Sequence, residues 1–174
     1  TPKADEARPD PVEDRVARLV DYQDEALARR FRDLVALAPA DLRDSVAAGY
    51  YKLLAYKDEY EVARLHLKTA QGVAGQFEDG AKLSFHLAPP LLPGRDPDGR
   101  PLKREFGGWI LPVFRLLARM KRLRGTALDP FGYTVERRRE RADIAQYEAD
   151  MRVVLPLTTP DTLAAIRELA ELLL

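Results

Sequence analysis

The chain has 174 residues, 46% of them hydrophobic, so it is long enough to bury one core and short for two. Its 28 basic residues are balanced by 28 acidic ones, which argues against a polyanion as the obligatory partner of the whole surface. It contains no cysteine, and this excludes disulfides, thiolate nucleophiles and cysteine-held zinc or iron–sulfur clusters within the chain.

Residues 1–9 carry charge and two prolines without periodicity and read as a linker. Asp10-Pro11 offers an N-cap followed by a proline suited to a first helical turn. Val12, Val16, Leu19, Val20, Ala26, Leu27, Phe31, Leu34 and Val35 then recur at spacings of three and four, predicting one long helix that ends near Ala38-Pro39. Asp41 is placed to cap a second helix running to about Leu67, with Val46, Tyr50, Leu53, Leu54, Tyr56, Tyr60 and Leu65 covering more than one face. A short helix is expected after Thr69, weakened by Gly72 and Gly75.

Ala81 to Leu87 alternates as a short strand that Pro89-Pro90 would end. Asp98-Gly99 signals a tight turn within the turn-rich stretch 93–101, so a hairpin is expected with its return arm at Leu102 to Phe106. A helix from Trp109 to Arg124 follows, with Pro112 in its first turn, Phe114, Leu117, Met120 and Leu123 on one side, and Gly125 as its C-terminal stop. Thr134 caps a long helix that Pro156 closes. Thr158-Thr159-Pro160-Asp161 starts a final helix whose buried stripe is Leu163, Ile166, Leu169, Ala170 and Leu173. These elements predict a mainly α fold, a single-domain bundle over 10–174 of about five to six helices with a small hairpin around 81–106.

Charge is distributed unevenly. Residues 1–61 hold 14 acids and 10 bases, residues 95–141 hold 13 bases and 6 acids, and residues 142–174 hold 6 acids and 2 bases. The pattern is expected from neutralisation across packed helices or from charge that solvates their outer faces, and an anion-facing patch is the alternative.

Within the otherwise helical run 54–65, Lys57, Glu61 and Arg64 fall at spacings of four and three and can pair along one face. Alternatively, Asp58, Glu59 and Glu61 are partly buried at a domain or subunit junction, where they would specify orientation. A catalytic carboxylate pair has no accompanying nucleophile or metal ligand. His66 and His86 are too few and too distant for a metal site, and His86 in its strand reads as a hydrogen-bonded structural histidine. Arg115, Arg119, Lys121, Arg122 and Arg124 share a segment without acids, where the helix dipole favours cations near the C-terminal end. Nucleic-acid binding would need exposed aromatics beside these bases, and the local ones, Trp109 and Phe114, are expected in the core. Ser45 and Ser84 are the only serines, and the chain contains no asparagine. No apolar run reaches the roughly 18 residues of a membrane span, and the charged, proline-rich start at Thr1 is unlike a signal peptide. A cytoplasmic piece of a longer polypeptide is therefore expected.

Ala55 to Leu65, Phe85-His86-Leu87-Ala88-Pro89-Pro90-Leu91-Leu92, Lys103-Arg104-Glu105-Phe106-Gly107 and Leu123-Arg124-Gly125-Thr126-Ala127-Leu128-Asp129-Pro130-Phe131-Gly132-Tyr133 resemble, in order and spacing, one region of a known family. It is the C-terminal region of the long, fused bacterial indolepyruvate ferredoxin oxidoreductases. Asp21-Tyr22-Gln23-Asp24 and Ala28-Arg29-Arg30-Phe31 resemble the start of that region, so the likeness covers nearly the whole chain. It departs at Leu172-Leu173-Leu174, where family members continue with a proline and a glycine-containing segment.

The resemblance implies a parent enzyme that oxidatively decarboxylates indolepyruvate with thiamine diphosphate and magnesium. Coenzyme A would accept the acyl group, and iron–sulfur clusters would pass electrons to ferredoxin. That machinery would lie outside this chain, leaving it no catalytic, cofactor-binding or metal-binding residue of its own. The expected role is structural, packing on the remaining domains or mediating homo-oligomer assembly, with no nucleic acid or membrane as partner. The alternative is an accessory site for coenzyme A or acidic ferredoxin. It would use Lys103, Arg104, Arg115, Arg119, Arg122 and the Arg137–Arg141 cluster, with Lys57, Asp58, Glu59, Glu61, Arg64 and His86 as further contact candidates.

Overall fold

One aspartate, Asp24, divides the N-terminal apolar stripe into two helices where one was expected. The computed structural model of the chain describes residues 10–73, 84–87, 94, 98–100 and 102–171. α1 spans Pro11–Tyr22 and starts where the Asp10 carboxylate accepts the Val12 N–H at 2.8 Å. α2 spans Glu25–Val35 and starts where Asp24, in extended conformation, accepts the Leu27 N–H at 2.9 Å. Because Asp24 competes with the helical backbone and carries no glycine or proline signal beside it, periodicity alone reads through the break. Rotating the second segment also moves Ala26 to solvent and puts Ala28 in the core.

The backbone groups into two compact units, residues up to Tyr56 with Arg122 onward, and Lys57–Lys121. In the first, α3 (Ala40–Leu54) touches α1, α2, α6 (Val135–Val154) and α7 (Leu163–Glu171). This central position explains why Leu42, Val46, Ala47, Gly49, Tyr50 and Leu54 are all buried around its circumference. The expected Asp41 cap is not used, since Pro39 holds the cap position without a side-chain bond and Asp41 lies in the first turn. Tyr50 stacks between Phe31 of α2 and Tyr147 of α6, with ring centroids 5.8 and 5.6 Å apart. Thr134 caps α6 as predicted, accepting the Arg137 N–H at 3.2 Å. α6 gives way at Val154 to a 3-10 turn, Leu155–Leu157, that contains Pro156. On α7 the buried residues are Ile166 and Ala170, while Leu169 is exposed.

In the second unit, α4 (Glu59–Val73) packs on α5 (Leu111–Arg119). The helix predicted from Asp41 to Leu67 is thus interrupted at 55–58, and the expected helix after Thr69 is the last turn of α4. β1 (Ser84–Leu87) pairs antiparallel with β2 (Arg104–Gly107), Phe85 opposite Phe106. Gly99 has φ +78°, as the Asp98-Gly99 turn signal requires. A 3-10 turn, Gly108–Ile110, leads into α5, and another, Met120–Leu123, leads out to Gly125 at φ +73°. Ala63, Phe85, Ile110 and Phe114 form the core, with Leu67, Leu87, Phe106 and Leu117 packed against it.

Trp109 was expected in this core and is instead 66% exposed, touching Phe106 edge-on at 5.8 Å. The reason is that the segment carries two apolar stripes with the same spacing. Ile110, Phe114 and Leu117 face inward, which leaves Trp109, Val113 and Leu116 outside. The linker 1–9, Gly75, the strand start at 81–83, Pro89-Pro90, most of the stretch 93–101 and Leu173 lie outside the described residues.

Candidate functional site

The charged run 57–64 resolves into residues with different tasks. Asp58 is 3% exposed, and its Oδ1 accepts the Glu61 N–H at 2.8 Å while its carbonyl accepts the Val62 N–H at 2.8 Å. It is therefore the residue that starts α4, satisfying donors that the first helical turn leaves open. Glu61 takes a bidentate pair from Arg64, Nε and a terminal nitrogen each at 2.8 Å. Both members are half-buried, a setting in which the planar guanidinium fork is well suited to a carboxylate. Lys57 precedes the helix and is exposed, so it does not complete the expected three-membered stripe. Glu59 is half-buried, and its Oε2 is buried without a hydrogen-bond partner.

The histidines separate in the same way. His66 stacks on Phe114 at 5.2 Å and meets Phe85 edge-on at 5.4 Å, making it a member of the second unit's aromatic core. His86, expected to be a hydrogen-bonded structural residue, is exposed because alternation on β1 turns Phe85 inward and its neighbour outward. Lys103, Arg104, Arg115, Arg119 and Arg122 are all exposed.

Arg124, grouped by sequence with that basic segment, is buried. Its guanidinium lies 3.7 Å above the centre of the Tyr22 ring and donates to the Tyr22 carbonyl at 3.0 Å. Tyr22 in turn donates its hydroxyl to the Tyr56 carbonyl at 2.9 Å, and Arg137 covers the Tyr56 ring at 4.7 Å. This arginine–tyrosine network had no sequence signal, because 102 residues separate Arg124 from Tyr22.

The loop 125–134 is organised by another buried acid that sequence reasoning missed. The Asp129 carboxylate accepts the Gly125 N–H at 2.9 Å and the Phe131 N–H at 3.1 Å. A Cβ on Gly132 would lie 2.9 Å from Asp129 Oδ2, so glycine is required by that close approach. Tyr133 ties its hydroxyl to the Ala127 carbonyl and Arg141 reaches the Gly132 carbonyl, both at 2.6 Å. Of the Arg137–Arg141 cluster, Arg137 pairs with Glu140, whereas Arg138 and Arg139 are exposed.

Open depressions on the first unit, among the described residues, include the following two. One, of about 350 Å³, is lined by Ala164, Arg167, Glu168 and Glu171; the other, of about 300 Å³, by Ala26, Arg29, Arg30, Asp33 and Arg152. Among the described residues, no group of His, Asp and Glu side chains could hold a metal ion, and no helix is long and apolar enough to cross a membrane. Among the described residues, the buried acids Asp58 and Asp129 serve as caps and the buried Arg124 is stacked on Tyr22.

No curated protein and no solved structure matches the chain. A family model, described as a family of unknown function (DUF6537), matches residues 9–174. That match covers nearly the whole chain, which therefore belongs to the DUF6537 family.

Proposed function

We propose that this chain is a non-catalytic, cytoplasmic C-terminal domain of a long bacterial indolepyruvate ferredoxin oxidoreductase, with a structural or assembly role. The observation that carries this reading is the use made of the blocks that resemble that family. In 55–65, Asp58 starts a helix and Glu61 pairs with Arg64; in 123–133, Arg124 stacks on Tyr22 and Asp129 closes a loop. Side chains already engaged as caps and clamps build a shape for other domains to pack on. The parent's thiamine diphosphate, magnesium, iron–sulfur clusters and coenzyme A would be held by other parts of the polypeptide.

The test compares a full-length oxidoreductase with a version lacking this region. The deletion is expected to disrupt subunit assembly in light scattering, and the isolated chain to give no heat with thiamine diphosphate. Decarboxylation of indolepyruvate by the isolated chain would overturn the reading. A second reading, a site for coenzyme A or ferredoxin, is favoured by the exposure of Lys103, Arg104, Arg115, Arg119 and Arg122. It predicts salt-sensitive shifts in the chain's amide spectrum on titration, and an unchanged spectrum at low salt would dispose of it.

A further inference from the structure

The geometry points to a docking ridge: we propose that the outer side of α5 and of the 3-10 turn before it, Trp109, Val113 and Leu116 with Arg115 and Arg119 beside them, receives an acidic amphipathic helix of a partner protein. This assignment stands on the surface of the second unit alone and does not depend on which enzyme the domain belongs to.

Trp109, Val113 and Leu116 are 66%, 43% and 59% exposed; Val113 and Leu116, three residues apart, share one line of the α5 surface, and Trp109 stands in the 3-10 turn that leads into it. This is the spacing at which one helix presents a ridge to another. The opposite side of α5 is already committed, through Ile110 and Phe114, to the unit's own core. The exposed stripe is therefore a second apolar face, and a cluster of this kind containing tryptophan and arginine has the composition of an interface hot spot.

Charge selects the occupant. α5 contains no acidic residue, Arg115 and Arg119 are exposed, and Lys103 is exposed just before β2, where Glu105 is the single acid. A partner helix with leucines along one side and glutamates flanking them would match both features. A lipid surface fits less well. Nine residues give a helix only about 14 Å long, and only one of the segment's two apolar stripes is open to a bilayer, since Ile110 and Phe114 are held in the core.

Trp109 is the chain's single tryptophan, so emission excited at the red edge of the absorption band, where the seven tyrosines do not absorb, reports this ridge. The full chain is titrated at low salt with a synthetic three-heptad peptide carrying leucine at the core positions and glutamate at the flanking ones. Expected are a blue shift of the emission and binding that weakens as salt is raised. Arg115→Glu with Arg119→Glu should weaken binding about tenfold or more with the far-ultraviolet circular dichroism unchanged, because both side chains are exposed. Leu116→Ala should weaken it with the charges intact. Three results would overturn the proposal. They are an equal shift with a peptide carrying lysine for glutamate, a shift with phosphatidylglycerol vesicles but not with the acidic peptide, and a concentration-dependent shift from self-association without any peptide.

Discussion

A Cβ built on Gly49 falls 2.1 Å from the carbonyl oxygen of Ala170, so α3 and α7 meet with no room for a side chain. The Tyr147 hydroxyl stands beside this contact, 3.3 Å from the Ala170 carbonyl and 3.4 Å from that of Val46. Glycine's cost within a helix is outweighed here by the packing it permits.

Gly49→Ala should therefore destabilise the chain by about 1–3 kcal/mol or more, despite the better helix propensity of alanine. Gly72→Ala is the control. Nothing lies within 4 Å of a Cβ there, and the position is exposed on α4, so a gain of up to about 1 kcal/mol is expected. Urea unfolding of both variants measures the contrast; equal effects would contradict the contact.

Removing the α4 cap is a second measurement. Asp58→Ala should cost about 0.5–2 kcal/mol, and Asp58→Asn, which keeps an acceptor for the Glu61 N–H, should lose less. If the two substitutions unfold at the same urea concentration, the cap is not what Asp58 supplies.

Arg124 and lysine are not interchangeable over Tyr22. Arg124→Lys keeps the charge but loses the planar stack and the fork that reaches the Tyr22 carbonyl, so a loss of about 2 kcal/mol is expected. Arg122→Lys, at an exposed position, should lie within about 0.5 kcal/mol of the parent. Similar losses at the two positions would refute the distinction.

Alkaline pH tests the buried tyrosines. Burial, and then the bond it donates to the Glu148 carboxylate, hold the Tyr50 hydroxyl well above its ordinary pKa of 10.0, and burial does the same for Tyr147. The neutral forms are favoured in the folded state, so their contribution is complete below pH 10 and is lost as pH rises above it. There the unfolded chain ionises first, by up to about 1.4 kcal/mol per pH unit per group. Tyr147→Phe should make the fall of stability above pH 10 shallower than in the parent. An unchanged slope would show that Tyr147 ionises as freely in the folded chain as in the unfolded one.

Much of the helical plan is legible locally. Asp10-Pro11, Thr134 and the Asp98-Gly99 turn each act through bonds or backbone angles within a few residues, and each is found where its signal lies, whereas the helix expected to run to Gly125 ends as an α-helix at Arg119 and continues as a 3-10 turn. The breaks at Asp24 and Asp58 were missed for the opposite reason. An aspartate inside an apolar stripe is equally compatible with a solvated helix position and with a cap, and only the packing of the flanking segments chooses.

By itself the sequence determined a mainly α chain with a small hairpin, because periodicity, caps and turns are short-range properties. Only the tertiary structure decided which of the two apolar stripes on α5 is core, that Arg124 is stacked on Tyr22 and not displayed, and that Gly49 exists for the carbonyl of Ala170. Each of those outcomes depends on residues far away in the chain, and burial is a property of what packs against a side chain, which no local spacing records.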